Sequence, residues 1–316
     1  VLCFFHVKKG LLMNNTKTVG GQAVLEGVMM RYRDRMAIAC RRSDDTISVH
    51  RETLRPLAKK YPLLGWPVIR GAVAFFEALF LGVRALNISA AEALAEEEEE
   101  LTGWHSFLMV VLGLGLGVSL FFILPTYLVR FLPVWPPIWL NLIEGLVRLV
   151  IFVTYIFLIT RWGDVQRFFQ YHGAEHKVIY CYESDQSYDL NRINDFSTRH
   201  PRCGTSFILT VMVVSIILFS FFGWPDLAQR IALRLVLLPL VAGLSYEAIR
   251  YSARSSSPLV KVMTAPGLWL QRLTTKEPDR GQLEVALSAL QAVLEPDQEQ
   301  PETACEREAE VTADAR

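Results

Sequence analysis

Four stretches of this chain are too long and too apolar for ordinary core segments, and they dictate most of what it can become. They run from about 106 to 132, 138 to 160, 205 to 224 and 229 to 250. Each supplies about twenty apolar residues at ~1.5 Å apiece, which is what a bilayer's hydrocarbon core requires. Hydrophobic residues make up 52% of the chain, and their concentration in blocks reads as membrane spans rather than as an oversized globular core. The joints Pro133-Val134-Trp135-Pro136-Pro137 and Trp224-Pro225-Asp226 are short, so the spans pair into two helical hairpins. Trp135, Trp139 and Trp224 suit the headgroup layer.

Formal net charge is zero, but its distribution is uneven. Arg31, Arg33, Arg35, Arg41, Arg42, Lys59 and Lys60 precede the first span, and Arg161, Arg167, Lys177, Arg192, Arg199 and Arg202 lie between the hairpins. Arg250, Arg254 and Lys261 follow the last span, whereas the hairpin tips carry only Arg130 and Arg230 at their edges. The positive-inside rule then puts both termini and the central loop on the cytoplasmic side of a multi-pass protein whose first partner is the lipid bilayer. No RNP, zinc-finger or basic-helix pattern points to nucleic acid. Five cysteines without a C-x-x-C pair fit a reducing compartment better than a disulfide framework.

Around the spans the expected organisation is as follows. Residues 1–19 are unstructured, with Met13 as the expected true start; 20–60 form a small cytoplasmic β unit, with strands at 35–41 and 46–51 around Ser43-Asp44-Asp45. Residues 61–100 hold an amphipathic helix and an acidic linker. Arg70, Glu77 and Arg84 recur every seven residues on one side of segment 63–86, so it is expected to lie along the interface rather than to cross. Residues 101–255 form the four-helix domain, including a cytoplasmic loop at 161–204. In 256–294 the apolar period from Gln282 to Leu294, capped by Asp279, predicts a short amphipathic helix; 295–316 reads as a disordered tail. The fold class is thus mainly α and integral to the membrane, with four transmembrane helices in two hairpins.

Chemistry concentrates in Tyr171-His172-Gly173-Ala174-Glu175-His176-Lys177, an H-x-x-E-H word in the central loop. Histidines four apart on a helix share a face, so both imidazoles reach one ion, and Glu175 could orient or deprotonate a metal-bound water. The alternative is that His172 and His176 only cap and hydrogen-bond a turn. Topology brings His200, Cys203 and Glu247 to the same membrane face, and any of them is a zinc-compatible third ligand. Each has a plainer alternative: a helix-entry turn for His200-Pro201, a buried filler for Cys203, and ion pairing with Arg250 or Lys261 for Glu247. Glu26 reads first as a backbone-capping carboxylate, then as a ligand. Inside the second span Glu144 and Arg148, four apart, form either a register-setting pair or a polar conduit.

Several words in order resemble one bacterial membrane family, DUF1385, the YqhQ-like proteins. They are Gly20-Gly21-Gln22-Ala23-Val24-Leu25-Glu26-Gly27-Val28-Met29-Met30-Arg31, Tyr171 to Lys177, His200 to Phe207, Ser245-Tyr246-Glu247 and Pro266 to Pro278. The resemblance runs from about Gly20 to Leu294 and implies a bacterial inner-membrane protein of a family labelled as predicted metal-dependent enzymes. Two functions follow. One is a metal-dependent membrane hydrolase with Glu175 as its catalytic base. Its divalent ion, zinc by ligand chemistry, is held by His172 and His176 with His200, Cys203 or Glu247. The other is a non-enzymatic scaffold or membrane-protein biogenesis factor that docks a cytosolic or membrane protein through its polar words. A transporter is disfavoured, since no inverted repeat or broken-helix pair is visible.

Overall fold

The computed structural model describes residues 19–55, 61–93, 103–132, 135–184, 188–200, 203–252 and 257–295. The expectations about Met13, the acidic linker and the tail after 295 lie outside these residues.

The described residues begin with an antiparallel meander of four strands: β1 (Val19–Val24), β2 (Gly27–Tyr32), β3 (Arg35–Arg41) and β4 (Ile47–Thr53), paired in sequence order. The β unit was legible only in its second half; β1 and β2 carry too many glycines and methionines to read as strands. Residues 25–26 and 33–34 link β1 to β2 and β2 to β3, with Glu26 and Arg33 at positive φ (48° and 56°). Side chains alternate across β2 and β3. Val28, Met30, Ala37 and Ala39 face one core, whereas Met29, Met36, Ile38 and Cys40 face another. Both faces are covered, which is why Met36 to Cys40 reads as a continuous apolar run instead of an alternating one.

One face of the sheet packs against α1 (Ile69–Ala93) through Leu81 and Ala85. The other packs against α5 (Gly163–Glu183) and the carboxy-terminal α10 (Arg280–Leu294). α10 starts with the expected cap: Asp279 accepts from Gln282 N–H at 2.8 Å while Gln282 Oε1 accepts from Asp279 N–H at 2.9 Å, a reciprocal capping box.

Between these elements run the apolar helices. α2 (Gly103–Val118) passes through a π turn at Ser119–Ile123 into α3 (Leu124–Val129), followed by α4 (Pro137–Ile159). After α5 come the short α6 (Leu190–Asn194), then α7 (Gly204–Phe219), α8 (Leu227–Ser252) and α9 (Pro258–Thr274). α7 packs on α4, α8 and α9, and α1 packs along α8. Among the described residues, four helices are long and apolar enough to cross a membrane: 69–93, 111–129, 137–159 and 227–252.

That set exchanges one member of the expected one, 205–224, for another, 69–93. The segment expected to cross at 205–224 forms a helix of 16 residues, about 24 Å long, short of a ~30 Å hydrocarbon core. The segment expected to lie along the interface is a 25-residue helix. Its charges face protein partners: Arg70 pairs with Glu247, Arg84 with Glu52, and Glu77 acts electrostatically on Arg31. Its exposed side is apolar, with Phe76, Leu79, Phe80 and Val83 turned outward. A seven-residue charge period shows that the charges share a side, but not whether water or protein occupies it.

A candidate metal centre at the junction of sheet and helices

The H-x-x-E-H word does not lie in a loop. It occupies the middle of α5, where every residue from Tyr171 to Ile179 is buried. A helix whose polar residues all have internal partners carries no apolar periodicity, so the word looks like solvated loop in sequence. β1, α10 and the segment after α9 surround it. Gly173 permits the closest of these approaches, because a Cβ there would collide with the Lys276 carbonyl. Lys276 N–H also donates to Phe169 O at 3.0 Å, docking the Thr275–Glu277 stretch across the helix.

His172 and His176 share one face as their spacing predicts, with ring centroids 4.5 Å apart. His172 Nδ1 lies 2.7 Å from Thr274 O, and His176 Nδ1 lies 2.5 Å from Thr198 O. A carbonyl only accepts, so in both rings Nδ1 carries the proton and Nε2 keeps its lone pair. Outer partners commonly fix the tautomer of metal-binding histidines in this way. His172 Nε2 is 3.1 Å from Cys203 Sγ, whereas His176 Nε2 is buried with no hydrogen-bond partner among the described residues.

Cys203 is brought in as the N-cap of α7. Its sulfur accepts from Thr205 N–H at 3.5 Å and lies 3.3 Å from Thr205 Oγ1, at the positive end of the helix dipole. Gln271 holds the preceding turn in place by imitating a backbone partner. Its Oε1 accepts from His200 N–H at 2.8 Å, and its Nε2 donates to His200 O at 2.9 Å and to Ser206 Oγ at 3.2 Å. One donor atom from each of His172, His176 and Cys203 then falls within 4.8 Å of the others. The three residues are 0%, 0% and 1% exposed.

The other candidates lie near this group or elsewhere. His200 lies beside His176 with ring centroids 5.7 Å apart and planes tilted by 42°, and its Nε2 is 3.5 Å from Glu183. Burial, with His176 adding to it, lowers its pKa to about 3, so its ring is neutral. Glu175 is fully buried but turned toward the sheet. Its Cγ lies where a Cβ on Gly21 would come within 2.8 Å, so Gly21 is the only residue type that leaves it room. Around the helix it stands about 60° from His172 and about 100° from His176. Glu247 lies apart from the histidines, in a bidentate pair with Arg70 at 2.7 and 2.6 Å, and accepts from Val68 N–H at 3.4 Å. Its hydrogen-bonded partner is Arg70, 177 residues away, with Arg250 adding a further electrostatic attraction; the Lys261 side chain lies outside the described residues. Glu26 is a structural anchor: it takes both Arg167 donors and the Tyr171 hydroxyl at 3.2 Å.

Sequence reasoning missed Thr198, Gln271, Thr274 and Lys177 as parts of this site. Lys177 is 3% exposed, and its Nζ reaches Asn194 O at 2.5 Å and Glu277 at 2.7 Å. Gln271, Thr274 and Lys276 all lie in the Pro266–Pro278 word, so that word was visible, but its role as the site's backing was not. A cleft of about 680 Å³ lies between α1 and the sheet, lined by Arg31, Leu54, Phe76, Glu77, Phe80 and Arg84 among others. None of the candidate ligands lines it.

A family model described as "Protein of unknown function (DUF1385)" matches residues 66–296. The chain is 34% identical over 295 residues to the uncharacterized protein YqhQ of Bacillus subtilis (strain 168), covering 87% of this chain and 92% of that one. Neither description names a metal, a reaction or a partner. No solved structure matches.

Proposed function

Because this chain belongs to the DUF1385 family, whose description assigns no activity, we propose its function from the site: a membrane protein with a buried structural metal centre at His172, His176 and Cys203. The observation that carries this reading is His176 Nε2. A hydrogen-bond network accounts for His172, whose Nε2 meets the Cys203 thiol. It leaves His176 Nε2 as a buried acceptor with nothing to accept from among the described residues, at a cost of about 1 to 3 kcal/mol. An ion bound by both Nε2 atoms and the thiolate removes that cost. Ligand atoms ~2.0 to 2.3 Å from one tetrahedral ion stand roughly 3.3 to 3.8 Å apart. The 4.8 Å grouping needs only small side-chain adjustments to reach that. Two imidazoles and a thiolate suit zinc, with neutral His200 the nearest further donor.

Between the two roles such a centre can have, the geometry favours the structural one. The ligands are at most 1% exposed, and Glu175 faces Gly21 on the β1 side of α5. A hydrolase needs that carboxylate beside a metal-bound water and a path for substrate. The ion would instead fasten α5 to the start of α7, joining the sheet-bearing module to the apolar helices. This supports the scaffold or biogenesis-factor reading over the hydrolase, in a bacterial inner membrane with the module on the cytoplasmic side. That side follows from the excess of arginines and lysines in the segments flanking the helices.

Elemental analysis of the purified full-length protein tests the proposal. About one zinc per chain is expected, lost in His176→Ala and in Cys203→Ala, and chelation should lower the thermal midpoint of the wild type but not of the variants. A metal-free wild-type protein from zinc-replete cells would refute it. Metal retention with an unchanged midpoint on chelation would shift the balance back to catalysis.

A further inference from the structure

A second polar centre sits at the other end of the helices. Asn141, near the start of α4, donates to Gly223 O at 2.8 Å, so the α3–α4 and α7–α8 links lie at one end of the bundle. Cys203 is at the opposite end of α7, about 24 Å away along that helix. Near the link end, about 10 Å into both α4 and α8, lies Glu144, only 1% exposed. Its Oε1 accepts from Thr126 Oγ1 at 2.8 Å, Arg148 Nη2 at 2.9 Å and Arg234 Nη2 at 2.7 Å. Its Oε2 lies 3.4 Å from Arg230 Nη1.

The arginine that sequence reading paired with Glu144 is thus one of three. Three guanidiniums around one carboxylate leave two positive charges unbalanced (three minus one). Asp226, one turn before Arg230, caps Gln229 N–H at 2.9 Å, and counting it still leaves an excess of one. Donors are also in surplus. Arg148 Nε uses the Phe121 carbonyl in the π turn at 2.8 Å, while Arg230 Nε is buried with no hydrogen-bond partner among the described residues. Arg230 lies 4.0 Å over the Trp224 ring and Arg234 5.7 Å from the Phe219 ring. Those contacts stabilise the cations but supply no counter-charge. Arg148 and Arg230 keep 13% and 11% side-chain exposure, so the cluster can be reached from its rim.

We propose that Arg148, Arg230 and Arg234 form a binding site for a phosphate-bearing anion at the link end of the helices. Excess positive charge in an apolar helix bundle is costly unless an anion completes it. Guanidinium forks arriving from two helices match a tetrahedral group with several oxygens better than a single planar carboxylate, and Glu144 already serves as that carboxylate. Trp224 lies under Arg230, and its apolar chain neighbours Phe221 and Phe222, like Leu235 and Val236 next to Arg234, are exposed, the last two 63% and 75%. The phosphate is either a lipid headgroup or a soluble ion.

The test uses full-length protein in a neutral detergent and the variant Arg230→Gln. Arg230 has the longest contact with Glu144, so its removal leaves the Glu144–Arg148–Arg234 core in place. Inorganic phosphate is titrated calorimetrically, and native mass spectrometry compares retention of phosphatidylglycerol with that of diacylglycerol carrying the same chains. Binding in the lipid arm alone identifies a headgroup, and binding of inorganic phosphate identifies a soluble ion. In either arm Arg230→Gln should weaken binding about tenfold or more, as loss of one charge-assisted hydrogen bond requires, while Arg230→Lys keeps part of it. Arg148→Gln replaces Arg230→Gln if the latter does not fold. Equal retention of the two lipids with no response to phosphate would overturn the proposal, as would a variant that binds like the wild type.

Discussion

Gln271→Leu isolates the device that positions Cys203. Leucine keeps the side chain's volume, so no cavity confuses the result, but it removes every hydrogen bond that Gln271 makes to the His200 turn. His200 N–H then loses its 2.8 Å acceptor inside a closed core, since Gln271 is fully buried and His200 only 2% exposed. Leaving that donor unsatisfied costs about 1 to 3 kcal/mol. His200 O retains Cys203 N–H at 3.3 Å, and Ser206 Oγ can rotate, so the Nε2 bonds contribute only their net worth, roughly 0.5 to 1.5 kcal/mol. The sum is about 2 to 4 kcal/mol, on the order of 3–6 °C in thermal midpoint for a chain of this size. The assay is tryptophan fluorescence during heating of the detergent-solubilised protein, at one scan rate for wild type and variant because membrane proteins rarely unfold reversibly. Gln271→Glu should fall between the two, since it keeps the acceptor for His200 N–H and loses the donor. Because the turn also carries Thr198 and Cys203, zinc retention should fall in parallel with stability. A Gln271→Leu midpoint within about 1 °C of wild type would refute the view that this side chain holds the turn.

Three further outcomes are expected. Gly173→Ala should undock the Thr275–Glu277 stretch, because its methyl occupies the place of the Lys276 carbonyl, and limited proteolysis near Lys276 should accelerate at least several-fold. Glu144→Gln should lower the thermal midpoint by an amount matching about 3 to 5 kcal/mol, the cost of breaking a buried ion pair, and a midpoint equal to wild type would count against three arginines converging there. Cys40, whose thiol burial raises from 9.0 to about 12, should resist alkylation at pH 8 until the sheet is unfolded. The same shift gives a pH dependence. Above about pH 9 the unfolded chain releases the Cys40 proton while the folded chain keeps it, so stability falls as pH rises toward 12; an unchanged profile in Cys40→Ala would show that this thiol is not responsible.

The local features of this protein were legible because their causes are local. The Asp279 cap, the strands expected at 35–41 and 46–51 and found at 35–41 and 47–53, and the shared face of His172 and His176 depend on residues within one or two turns of each other. Apolar block length likewise marked the 137–159 and 227–252 helices. The family words told where polar residues cluster, but not what they touch.

What the tertiary structure decided was partnership. Cys203 meets His172 across 31 residues, Glu26 meets Arg167 across 141, and Glu247 meets Arg70 across 177. It also decided what a charged stripe meets: Arg70 and Arg84 of 69–93 pair with Glu247 and Glu52 of other elements, while Phe76, Leu79, Phe80 and Val83 of the same helix are exposed. The reason is common to all of these. Periodicity fixes the direction of a side chain relative to its own helix axis, within a few residues. Which acceptor, cation or sulfur waits in that direction depends on how helices and sheet pack, and on glycines such as Gly21 and Gly173 that let two backbones come close enough to share a site.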